Sequence, residues 1–147
     1  MVAQISHQML APAAALAVWT LVILLYTAIT RFGAFKVANI DLKNVPPGGR
    51  GQDLDAILPK PVMWPSHNYS HLLEQPTLFY PVVILLAVLG AGTQINIMLA
   101  WGYVALRVVH SFWQIKVNTI PLRAALFFAS SIFLIVLAVN ALRAALA

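Results

Sequence analysis

Residues 9–30 contain no acid, base or histidine. An uncharged apolar stretch of about 22 residues rises far enough as a helix to cross a ~30 Å hydrocarbon core. Inside that core every backbone polar group must be satisfied within the protein, which restricts spanning structure to helices and closed barrels. Three further apolar stretches follow, at 66–89, 94–115 and 121–146. The chain is 61% hydrophobic and 9% charged, against roughly 25% charged residues in a soluble domain. The expectation is an all-α membrane protein, a four-transmembrane-helix up-down bundle in which residues 1–147 form a single domain.

The connections are one long loop, 31–65, and two short ones. Pro46-Pro47-Gly48-Gly49-Arg50-Gly51 excludes regular structure within the long loop, and Asp53 to Leu58 fits a short helical turn ended by Pro59, Pro61 and Pro65. The glycine-rich piece lacks the Gly-Lys-Ser/Thr ending of a phosphate-binding loop. Pro76 and Pro81 lie inside the second span and are expected to kink it. Arg31, Lys36, Lys43, Arg50, Lys60 and Lys116 all fall in the first and third connections, and Asp41, Asp53 and Asp55 share the first. The positive-inside rule puts loops 31–65 and 116–120 in the cytoplasm and both termini outside, in the manner of a bacterial inner-membrane protein. The basic residues are dispersed, which fits topology and anionic lipid rather than nucleic acid. Met1 to Gln8 carries no Lys or Arg, so a signal peptide is not expected there. There is no cysteine, which excludes disulfides, thiolate catalysis by the chain and thiolate metal ligands.

Chemistry-bearing residues gather at one end of the bundle. Glu74 is the only carboxylate outside loop 31–65, and an acid within a membrane helix costs about 2.5–3.5 kcal/mol at the bilayer centre unless it finds a partner. His67, Ser70, His71 and Glu74 share one helical stripe. Tyr103, Arg107, His110 and Gln114 form another on the third span, and Arg123 opens the fourth. The nearest partner for Glu74 on this reasoning is Arg107, as a structural ion pair. His71 and His110 are then interior hydrogen-bonded histidines or acid–base groups, and His67 is a solvated one. The spacings lack the His-Glu-x-x-His and Glu-x-x-His metal patterns, so no metal is expected. Arg123 sits at a helix N-terminus, where the dipole disfavours a cation, so an anionic partner is expected for it. Two arginines at one depth suit a small acidic ligand or a developing thiolate.

Arg107-Val108-Val109-His110 followed by Pro121-Leu122-Arg123 resembles the pattern of the MAPEG family, the membrane-associated proteins in eicosanoid and glutathione metabolism. His71-Leu72-Leu73-Glu74 falls where that family carries Asn-x-x-Glu, and the chain length and the long basic first loop agree. The similarity is to microsomal glutathione transferases and prostaglandin E synthase, in a bacterial-type branch. It implies a homotrimer with glutathione as cosubstrate at the subunit interfaces. Ser70, His71, Glu74, Arg107, His110 and Gln114 would bind or support glutathione, and Arg123 would stabilise its thiolate. Ser70, His71 and Gln114 depart from the Arg, Asn and Tyr of active relatives. Ala124 stands where the prostaglandin synthase has Ser.

Two functions of different class follow. One is a glutathione-dependent transferase or peroxidase acting on lipophilic electrophiles drawn from the bilayer. The other is a non-enzymatic binding or accessory protein that keeps the polar cluster as a structural knot. A small proton-coupled transporter using Glu74 is a third, disfavoured because transporter sites tend to lie at the midplane.

Overall fold

The computed structural model describes residues 6–40, 44 and 47–147; Asp41, Lys43 and Pro46 of the long loop, and residues 1–5 of the N-terminal stretch, lie outside the described residues. Five α-helices run α1 (His7–Val37), α2 (Lys60–Leu72), α3 (Pro76–Val88), α4 (Gln94–Lys116) and α5 (Ile120–Leu146), with a 3-10 turn at Gly51–Ala56 before α2. No strand occurs among the described residues. Four helical stretches are long and apolar enough to cross a membrane, α2 and α3 together making the second, Lys60–Val88.

Consecutive spans are antiparallel. The Ser6 backbone N–H donates to the Ala87 carbonyl, which joins the start of α1 to the end of α3. Asn140 Nδ2 donates to Asn96 Oδ1 at 2.8 Å, joining the end of α5 to the start of α4. At the opposite end Arg31 Nη2 donates to Ser66 Oγ at 2.6 Å, joining α1 to α2. The core lies along the facing stripes. Met9, Leu16 and Ile23 of α1 bury with Leu72, Phe79, Val83 and Leu86 of α2 and α3, with Tyr103 and Val104 of α4, and with Leu134 and Leu137 of α5. Phe79 stacks on Tyr103 with ring centroids 4.3 Å apart. The outer faces are also apolar, with Val18, Leu25 and Ile29 of α1 and Phe128, Ile132 and Ile135 of α5 exposed. Bare apolar faces of this extent are stable against lipid, not water, and this is an integral membrane protein in contact with lipid.

The helices outrun the hydropathy pattern. α1 continues to Val37 rather than ending at residue 30, because Arg31 is tied to Ser66 and Phe35 is buried against Leu58 and Met63. It ends where Asn39 adopts φ 51° and the Ile40 N–H reaches back to the Phe35 carbonyl, an asparagine serving in the left-handed position that closes a helix. Gly90, at φ 69°, closes α3 in the same way, with the Ala91 N–H on the Leu86 carbonyl. α2 begins at Lys60, not residue 66. Pro61 occupies its first turn, where a missing N–H costs little, and the carbonyl that Pro65 leaves open is that of exposed Pro61. Of the two prolines in the second span, Pro76 divides α2 from α3, whereas α3 runs through Pro81.

Phe79→Ala is expected to cost about 3 kcal/mol of unfolding free energy, since it empties a fully buried ring site. Ile29→Ala, on an outer face, is expected to stay within about 0.5 kcal/mol. Denaturant unfolding of the detergent-solubilised protein distinguishes the two.

Candidate functional site

The site is built on the interruption of the second span. Pro76 has no N–H to offer the Leu72 carbonyl, so the helix ends there and the chain turns through Leu73, Glu74 and Gln75. The last carbonyls of α2 lose their helical donors. The Leu73 N–H takes the Ser70 carbonyl in a tight turn. The His71 carbonyl instead accepts Arg107 Nη2 at 2.9 Å. Arg107 is wholly buried, at 0% exposure, and among the described residues no carboxylate lies within ion-pair distance of it. Its charge is met by the negative end of the α2 dipole and by the ring faces of Tyr103 and Phe127, 5.9 and 5.8 Å from Cζ to the centroids.

This corrects the expected Glu74–Arg107 pair, because His71 stands between the two. Its Nδ1 lies 2.9 Å from Glu74 Oε2 and its Nε2 lies 3.4 Å from Arg107 Nη1. One tautomer suits both, with the proton on Nδ1 donated to the carboxylate and Nε2 accepting from the guanidinium. The Glu74 side chain is 67% exposed, since the turn after α2 throws it off the buried stripe.

A cavity of about 250 Å³ opens beside this relay, lined by His71, His110, Ile120, Arg123, Ala124, Phe127 and Phe128. The two imidazoles are 4.9 Å apart between centroids, and the Phe127 ring lies 5.4 Å from His71, tilted by 40°. Arg123 enters from the first turn of α5. Its Nη1 donates to Asn118 Oδ1 at 2.6 Å, from the α4–α5 connection, where Asn118 holds φ 57°. That partner is a neutral amide, so the guanidinium keeps its full charge at the positive end of a helix.

His71, His110 and Arg123 therefore share one cavity, and Arg107 and Glu74 support it from behind His71. Ser70 and Gln114 do not line it. Ser70 is exposed on the outer face of α2. Gln114 is buried, with Oε1 accepting Asn68 Nδ2 at 2.9 Å. His67 is at the surface, 2.7 Å from Asp55 of the 3-10 turn. Three polar residues escaped the sequence argument. Asn68 is buried with its Oδ1 unpartnered. Gln75 accepts the Tyr103 hydroxyl at 3.3 Å and donates to Ser131 Oγ at 2.7 Å, which crosslinks three helices below the cavity. The available signal was their chemistry: an amide or hydroxyl inside an apolar span needs a protein partner.

The model of the MAPEG family matches residues 9–143, nearly the whole chain. No curated protein and no solved structure gave a match.

Arg107→Ala is expected to lower the thermal midpoint of the solubilised protein strongly, because it bares the His71 carbonyl and opens a hole among Tyr103, Phe127 and His71. Arg107→Lys is expected to recover only part of the loss, since a point charge cannot reach both groups as a fork does. Glu74→Gln is expected to leave helix content, read by circular dichroism, unchanged.

Proposed function

Since the chain belongs to the MAPEG family, whose members include glutathione transferases and peroxidases, we propose that it is a glutathione-dependent membrane transferase or peroxidase acting on lipophilic electrophiles. The observation that carries this reading is Arg123, a cation at a helix N-terminus whose hydrogen-bond partner among the described residues is a neutral amide, facing an aromatic cavity. Such a position favours an anion that the chain itself does not supply.

The cavity of about 250 Å³ is smaller than the ~300–1,000 Å³ typical of whole-ligand pockets. It accepts the cysteinyl part of glutathione, with the sulfur toward Arg123. The peptide ends then extend over the exposed Ser70 and Glu74 side, where a neighbouring copy in a homotrimer completes the site. Exposed carboxylate and hydroxyl groups on a membrane helix call for such a partner. The Arg123 guanidinium stabilises the thiolate as the thiol proton leaves to water. In transfer, sulfur bonds to the electrophilic carbon while the leaving group departs with the bonding pair. In peroxide reduction, sulfur attacks the peroxide oxygen, the O–O bond breaks with release of the alcohol, and a second glutathione closes the disulfide with loss of water. Ile120 and exposed Phe128 give a lipophilic substrate an apolar approach from the bilayer. The basic loops support a cytoplasmic position for this end of the bundle, where glutathione is plentiful.

A second reading has its own support. Arg107 directs both terminal nitrogens to His71, and Gln114 accepts from Asn68, inside the subunit, as expected of an accessory protein in which the polar cluster only holds helices together.

Glutathione at about 100 times its Kd is expected to stabilise the solubilised oligomer by about 2.7 kcal/mol. Absence of any thermal shift at ~10 mM glutathione leaves the accessory role standing. Arg123→Ala is expected to remove the ultraviolet absorbance of bound thiolate while the oligomer stays intact. An undiminished thiolate signal rules out the role given to Arg123.

A further inference from the structure

A second cavity, of about 530 Å³, lies between the end of α1 and the Gly51–Ala56 turn, remote in sequence from the His71 cluster. Its polar walls are Arg31, Arg50 and Asp53, and much of the rest is apolar, including Phe35, Leu54 and Ile57. We propose that this cavity holds the anionic headgroup of a bilayer phospholipid.

The positive charge here is not used up by the fold. Among the described residues neither Arg31 nor Arg50 forms an ion pair with a carboxylate. Asp53 turns one oxygen to the Arg50 backbone N–H, 2.7 Å away, so it braces the turn. Arg31 spends one nitrogen on Ser66, and its Nε is buried without a partner. The turn is shaped around that guanidinium: a Cβ on Gly51 would stand 2.7 Å from Arg31 Nη1. The loop backbone at Gly51 thus lies close over the Arg31 guanidinium, and both arginines line one space.

The depth selects the ligand. Arg31 is the first charge after the uncharged stretch 9–30, which puts it where hydrocarbon gives way to headgroups. α1 continues past it to Val37, so the cavity straddles that boundary. Arginine forks match phosphate oxygens, and Phe35, Leu54 and Ile57 suit the glycerol and upper acyl chain better than a hydrated free anion. The inference uses none of the residues assigned to glutathione and stands or falls separately from that function.

The test is native mass spectrometry of the full-length solubilised protein titrated with phosphatidylglycerol or phosphatidylcholine. Phosphatidylglycerol is expected to bind roughly tenfold more tightly, the scale of one charged hydrogen bond. Arg50→Gln, at an exposed position, is expected to abolish most of that preference without changing helix content. Arg31→Gln is expected to do the same, with some loss of stability through Ser66. Equal binding of the two lipids overturns the proposal, as does an Arg50→Gln protein that keeps the full preference. Displacement of phosphatidylglycerol by inorganic phosphate or by glutathione at ~10 mM also overturns it, assigning the cavity to a soluble anion.

Discussion

A carbonyl that has lost its helical donor cannot be left bare in an apolar medium, where each unsatisfied backbone group costs several kcal/mol. The second span contains such a carbonyl because Pro76 breaks it. The rest of the polar architecture is a response to that break. Arg107 caps His71, and to do so it must be fully buried. A buried guanidinium needs further stabilisation, which Tyr103 and Phe127 supply through their ring faces. His71, fixed through its backbone, then presents its ring to both Glu74 and the cavity. The helix break at Pro76, with the turn it forces at Leu73 to Gln75, thus positions four side chains on three helices.

The two ends of the bundle are held differently. Around Asn96 and Asn140 the contacts are neutral amides, to each other and to the Ala91 carbonyl. At the other end, beside the neutral Asn68–Gln114 pair, cationic or titratable groups take part: Arg31 with Ser66, His67 with Asp55, Arg107 with His71 and Arg123 with Asn118. In both arginine-bearing cavities the charge is positioned by a neutral hydrogen-bond acceptor. A neutral acceptor fixes geometry without neutralising charge, whereas a carboxylate would do both. Arginines held by neutral partners are therefore concentrated at the end carrying residues 38–59 and 117–119.

Hydropathy made the class and the four spans plain, since 9–30 and 121–146 admit little else. The family pattern Arg107 to Arg123 also stood in the sequence, and the match over 9–143 agrees with it. Helix ends were less visible. Loss of hydropathy marks where lipid stops, not where a helix stops, so α1 and α2 extend beyond their apolar runs into a small core around Phe35, Leu58 and Met63. The site was partly legible. Helical periodicity brought His71, His110, Arg107 and Arg123 to one depth. It failed at Glu74 because a stripe drawn through residues 67–74 assumes an unbroken helix, and the turn at 73–75 rotates the carboxylate outward. Gln114 was expected at the ligand because the family resemblance implied it. Its neighbour across the interface, Asn68, takes it instead, and no single-helix pattern reveals a partner 46 positions away.

The Arg107 cap also makes two spans interdependent. The carbonyl it satisfies precedes it by 36 positions and belongs to a different span, so the second span cannot complete its own hydrogen bonding. The cap exists only where the third span packs beside the joint at Leu73 to Gln75, and the same contact brings Arg107 to the His71 ring. The second and third spans are therefore complete only as a pair.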